Sequence, residues 1–160
     1  MIILGIDPGL ATTGYGVIRH EAGALCHIAS GVILTKSSAC TEGRLLCIYS
    51  ELNRLIESYS PDVLVTEQLF FGNNATTALQ VGKAIGVALL VAAQTGLDWV
   101  EYRPNEVKLA VTGYGAAEKR QVQQMVTRLL ALSQVPKPDD AADALAIAIC
   151  HAHSLRQNQL

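Results

Sequence analysis

The chain is 160 residues long, half of them hydrophobic and only 16% charged, with 12 Lys and Arg against 14 Asp and Glu for a formal net charge of −2. That balance excludes a disordered chain and suits one α/β domain, residues 1–160, with a sizeable core. On average charge alone it also argues against a nucleic-acid partner, unless several of the acids are gathered at one site.

The first residues, "MIILGIDPGL", read as a buried strand over residues 2–7 that ends on a carboxylate, Asp7. No basic segment precedes it, so no secretion signal is expected and the chain is placed in the cytoplasm. The four cysteines form no C-x-x-C pair, which fits free thiols in a reducing compartment. Residues 14–20 and 24–35 read as two further strands, joined by a turn at Glu21-Ala22-Gly23. Together the three give an antiparallel meander.

Residues 42–59 have apolar positions at helical spacing and stop before Pro61. Residues 63–66, "VLVT", form a short buried strand, followed at once by Glu67. The loop "QLFFGNN" leads to a long helix over about 75–95, capped at Asn74. The longest apolar run, between Lys83 and Asp98, is too short to span a bilayer and reads as a buried helix, so no membrane association is expected. A fifth strand covers 97–102. Pro104 starts a short helix to about 111, an amphipathic helix covers 116–132, and a last helix runs over about 139–154. The order β-β-β-α-β-α-β-α-α-α implies a mixed five-stranded sheet, with one strand antiparallel and helices on both faces.

Asp7 and Glu67 each lie at the carboxyl end of a short apolar strand. On parallel neighbouring strands they emerge at one edge of the sheet, where open α/β sheets carry their sites. The final helix begins "DDAADALAIAICHAH". Asp140 and Asp143 are three apart, on one face of a helix so apolar that it must pack on the sheet. Asp139 also suits the helix dipole. Carboxylates gathered in this way repel one another, and hard divalent cations of the Mg²⁺ or Mn²⁺ kind resolve the repulsion. Two such ions roughly 3.5–4 Å apart are the arrangement for in-line phosphoryl displacement. Setting Asp7, Glu67, Asp140 and Asp143 aside leaves 10 acids against 12 bases, a slightly basic remainder.

The stretches "ILGIDPGLATTGYGVI", "VTEQLFFGNNATTAL", "VTGYGAAEKRQVQQMV" and "DDAADALAIAICHAH", in this order and over nearly the whole chain, resemble the RuvC-type Holliday-junction resolvases. The first stretch alone is shared with the wider ribonuclease-H-like superfamily. The resemblance implies a ribonuclease-H-like fold, a homodimer, and Mg²⁺-dependent cutting of four-way DNA junctions that leaves 5′-phosphate and 3′-hydroxyl ends. It implies that Asp7, Glu67, Asp140 and Asp143 are the catalytic and metal-binding acids, that Phe70 stacks on a base, and that Lys108 and Lys119 contact DNA. It further implies cooperation with the branch-migration proteins RuvA and RuvB. The sequence departs from the expected pattern in its loop, in its acids and in the lack of a basic tail after His153. The "FFGNN" loop carries no basic residue, and Asp139 adds a second acid beside Asp140, leaving open which of the two a metal prefers.

Other features fit this picture physically. Phe70 and Phe71 in a polar loop are a stacking platform or half-buried plugs; stacking is assigned to Phe70 and packing to Phe71. Lys108 and Lys119 flank the "TGYG" turn, which suits a groove that tracks phosphates. The 75–95 helix is apolar nearly all round and needs cover on two sides, one the sheet and the other the same helix of a second subunit. His20, His27, His151 and His153 show no ligand spacing and are expected to be structural. The opening "D-P-G-x-x-x-x-G" also resembles the phosphate loop of actin-like ATPases, but those need two lobes around the nucleotide. A junction-binding module without chemistry is the remaining alternative, and the intact set of acids argues against it.

Overall fold

The computed structural model describes residues 1–69 and 75–157. Strands β1 (Ile2–Asp7), β2 (Thr12–Glu21) and β3 (Ala24–Leu34) form the expected meander. They are followed by α1 (Thr41–Tyr59), β4 (Val63–Glu67), α2 (Ala75–Thr95), β5 (Asp98–Tyr102), α3 (Pro104–Thr112), α4 (Lys119–Leu129) and α5 (Asp139–Gln157). The sheet order is β3-β2-β1-β4-β5. β1, β4 and β5 pair in parallel and β2 pairs antiparallel with both its neighbours, so β2 alone runs against the other four strands.

Side-chain alternation divides the apolar residues between two cores, because successive residues of a strand point to opposite faces. Ile3 and Ile18, with Val63 and Val65, face α3, α4 and α5. Leu4, Ile6, Val17 and Leu64 face α1 and α2, where Leu52, Leu55, Ala88 and Val91 meet them. Burial on both faces explains why β1 and β4 read as continuous apolar runs.

Two expectations are corrected. The helix expected over 116–132 is the shorter α4, because Glu118 is extended (φ −71°, ψ 153°) and its backbone N–H donates to the Gln121 side chain at 2.8 Å. Beyond the helix, Ala131 takes a φ of 49°, a left-handed value that ends the run. The apolar run of α2 is also longer than expected. By length and composition Ala78–Thr95 is sufficient to cross a membrane. One side of it, with Ala84, Ala88, Val91 and Ala92, is buried against the sheet, while Leu79, Leu89 and Leu90 are exposed. The expected cap at Asn74 lies outside the described residues.

Candidate active site

Strand parity sets the first two acids. Ile3, Gly5 and Asp7 share one face of β1, and Val63, Val65 and Glu67 share the same face of β4, the face that carries α5. The two strands are parallel neighbours, with Ile6 opposite Thr66, so Asp7 and Glu67 leave the sheet at the same edge.

Helix α5 is brought to them by glycines. Gly5 and Gly16 pair across β1 and β2, and Gly14 pairs with Asp7. A Cβ at Gly14 would collide with the carbonyl oxygen of Asp140, and one at Gly5 with that of Ala144. At Gly16 it would meet Leu145 at 2.8 Å. The absence of three side chains therefore lets the backbone of α5 rest directly on the sheet, with its first turn beside Asp7. On α5, Ala141, Ala142, Ala144 and Leu145 are buried, whereas Asp143 keeps 31% of its side-chain exposure.

Asp7, Glu67 and Asp143 line one cavity of about 330 Å³, together with Lys108, Lys119 and apolar residues of α3, α4 and α5. Asp140 does not line it, although its charge reaches Asp7. Burial, then the charges of Asp143, Asp140 and Glu67, push the Asp7 carboxyl up to about 7. Burial and then the charge of Asp143 raise Glu67, with Lys108 opposing. Burial also raises Asp143, with Lys119 opposing through a hydrogen bond and its charge.

The ammonium group of Lys119 lies 3.0 Å from Asp143 Oδ2 and 3.4 Å from Asp139 Oδ2. Among the described residues, no group of three or more His, Cys, Asp and Glu side chains stands ready to hold a metal ion. Lys119 thus offsets part of the charge at Asp143.

Both lysines are positioned by helix starts. Pro104 opens α3, where the Arg103 N–H donates to Glu106 at 2.7 Å, and Lys108 lies one turn further on. Lys119 is the first residue of α4. Phe70 and Phe71 lie outside the described residues. The histidines make structural contacts: His151 Nδ1 is 3.0 Å from the Tyr102 hydroxyl, His153 Nδ1 2.8 Å from the Ala110 carbonyl, and His27 Nε2 3.0 Å from Ser30 Oγ. His20, too, has an interaction of its own. All four cysteines are free thiols. The pairing of Asp139 with Lys119 was not read from the sequence, where Asp139 registered as an acid suited to a helix N-terminus or as an alternative to Asp140 at a metal.

A mixed sheet in this order, with acids at the ends of β1 and β4 and on a helix packed across them, defines a ribonuclease-H-like protein. The chain is, more narrowly, a member of the RuvC family, the crossover junction endodeoxyribonucleases that resolve Holliday junctions: the family model described as "Crossover junction endodeoxyribonuclease RuvC" matches residues 3–151. It is 54% identical to the crossover junction endodeoxyribonuclease RuvC of Heliobacterium modesticaldum, over 97% of this chain and 96% of that protein. It is 55% identical to that of Alkaliphilus oremlandii, over 96% and 94%. Thermus thermophilus RuvC, solved in complex with a Holliday-junction substrate, superposes with a TM-score of 0.93 at 33% identity, covering 99% of this chain and 96% of that one.

Proposed function

We propose that the chain cuts four-way DNA junctions by metal-dependent hydrolysis at the Asp7–Glu67–Asp143 cavity, acting as one nuclease domain. The observation that carries this reading is the convergence of those three carboxylates, from β1, β4 and α5, on a cavity whose other charged groups are two lysines. An all-oxygen donor set suits a hard cation of the Mg²⁺ kind, with Mn²⁺ as a substitute. Burial and then the neighbouring negative charges push the Asp7 carboxyl up, and a divalent ion would offset both. Asp7, Glu67 and Asp143 would hold Mg²⁺, with Asp140 joining from the first turn of α5, in a two-ion site. Ions bound there would supply charge stabilisation to the phosphate during in-line displacement.

The chain's own groups do the rest. The carboxylates orient the attacking water and accept its proton. Lys108 and Lys119 draw the phosphate backbone into the cavity and offset its charge. The water oxygen bonds to phosphorus, the bond to the 3′ oxygen breaks, and that oxygen takes up a proton from solvent, leaving 5′-phosphate and 3′-hydroxyl ends. Phe70 stacks on a base beside the cut.

Two copies pair through the exposed leucines of α2, Leu79, Leu89 and Leu90. A two-fold dimer sets two such cavities against a two-fold junction and makes two symmetric cuts. The chain acts in the cytoplasm, where free thiols persist, alongside RuvA and RuvB.

The experiment is incubation with a labelled mobile four-way junction, Mg²⁺ and matched duplex controls. Paired nicks in opposite strands are expected from the natural chain. Asp7→Asn is expected to bind the junction at low salt without cutting it. Cleavage at the natural rate by that variant would remove Asp7 from the site.

A further inference from the structure

Lys119 stands out among the groups around the cavity because its ammonium is shared between two acids of different standing. Asp143 lines the cavity, whereas Asp139 lies outside it with a side chain 58% exposed. Both acids belong to the first turns of α5, and Lys119 opens α4. Lys108 lines the same cavity and acts on Glu67, yet among the described residues it makes no ion pair.

We propose that Asp139 is a positioning residue for Lys119: Asp139 and Asp143 share its ammonium, and were Asp143 engaged by a divalent ion, Asp139 would hold the freed lysine at the cavity mouth. The inference rests on the proposed metal site.

The physical basis is substitution of one cation by another. Asp143 cannot give the same oxygen fully to the ammonium and to a divalent ion, since the two cations repel at contact distance. A lysine released into water would become a mobile chain that must be ordered again to meet a phosphate. Asp139, already 3.4 Å from the ammonium, provides a second resting place that leaves Asp143 free. The exchange needs only a small movement of an exposed side chain, because the Lys119 side chain is 55% exposed.

The test is Mn²⁺ titration of the free protein, without DNA and at low ionic strength, followed by calorimetry and by the paramagnetic resonance signal of the unbound ion. Lys119→Met is expected to bind Mn²⁺ about three- to fivefold more tightly, the range set by a partly exposed ion pair. Lys108→Met is expected to change the affinity less than about twofold. Asp139→Asn is expected to weaken Mn²⁺ binding in the natural chain and to have a clearly smaller effect in the Lys119→Met background, while Asp139→Glu retains the natural affinity. Equal tightening by the two lysine variants, or none by Lys119→Met, overturns the proposal, since net charge then accounts for everything. An Asp139→Asn effect of the same size in both backgrounds also overturns it. Asp7→Asn separates the two levels: loss of Mn²⁺ binding there upholds the metal site whatever the lysines do, and unchanged binding removes both readings together.

Discussion

Asp7 stands directly across the antiparallel ladder from Gly14, and Gly14 is the point at which the carbonyl of Asp140 comes down on the sheet. One glycine thus fixes the spacing between the strand that carries the central acid and the helix that carries two others. Gly14→Ala places a methyl group against backbone that cannot rotate away. The helix must lift, at a cost of about 1–3 kcal/mol. For a chain of this length that lowers the melting temperature by roughly 3–10 °C. Junction cleavage should fall well beyond what the lost stability explains, because Asp143 moves with the helix. Unchanged melting and unchanged cutting would show that α5 does not need the close approach.

Much of the site could be read from sequence because its logic is local. Asp7 and Glu67 end short apolar strands, and their place on the α5 face follows from counting in twos from Ile3 and Val63. The spacing of Asp140 and Asp143 and the apolar character of the residues after them placed α5 against the sheet. The Lys119–Asp139 pair could not be read in this way. It depends on where α4 starts, which the extended Glu118 delays to residue 119, and on how α4 lies beside α5. The glycines at 5, 14 and 16 hint at a close backbone approach, but nothing near them in the chain names the helix, more than 120 residues further on, that makes it.

Burial, with the crowding of carboxylates added to it, gives the metal-free chain a distinctive pH dependence. The folded-state value for Asp7, about 7, lies above its ordinary 3.8. Between those values the folded chain binds more protons than the unfolded one, so this group's contribution to stability falls as pH rises through that window. Glu67 and Asp143 are displaced in the same direction. His151, lowered by burial, acts oppositely: its contribution is lost as pH falls below its ordinary 6.5. Comparing Asp7→Asn with the natural chain isolates the carboxylate. The variant should be more stable at pH 8 by roughly 2–4 kcal/mol, about 5–10 °C in melting temperature. At pH 4 the difference should nearly vanish. A difference independent of pH, measured by thermal unfolding in chelator, would contradict a raised Asp7 carboxyl.

The outer face of α2 offers a test of assembly. Leu79 and Leu90 lie three helical turns apart on one stripe, 62% and 51% exposed, with Gly86 between them. A second copy of this face would bury both leucines, each worth about 1.5–3 kcal/mol when fully removed from water. Leu90→Glu places a charge at one end of that stripe. Light scattering should show the natural chain as a dimer and the variant as a monomer with the same circular dichroism. The variant should nick junctions singly and lose paired cuts. A variant that remains dimeric would move the subunit contact elsewhere.

Tyr102 ends β5 directly beside Glu67, and its hydroxyl lies 3.0 Å from His151 Nδ1 and 2.6 Å from Ser154 Oγ. The hydroxyl ties the sheet edge to α5 two turns and more beyond Asp143. Tyr102→Phe removes both hydrogen bonds and leaves the Nδ1 atom of the buried His151 without this partner, a loss of about 1–3 kcal/mol. The melting temperature should drop by roughly 3–10 °C. Cutting at 25 °C should change little, because the glycine contacts upstream hold the first turns of α5 in place. Tyr102→Phe combined with Gly14→Ala should then lose more activity than the two changes separately predict, since each alone leaves the other anchor intact. Strict additivity in that pair would mean that the two ends of α5 are held independently, and that the tyrosine has no part in setting the acids.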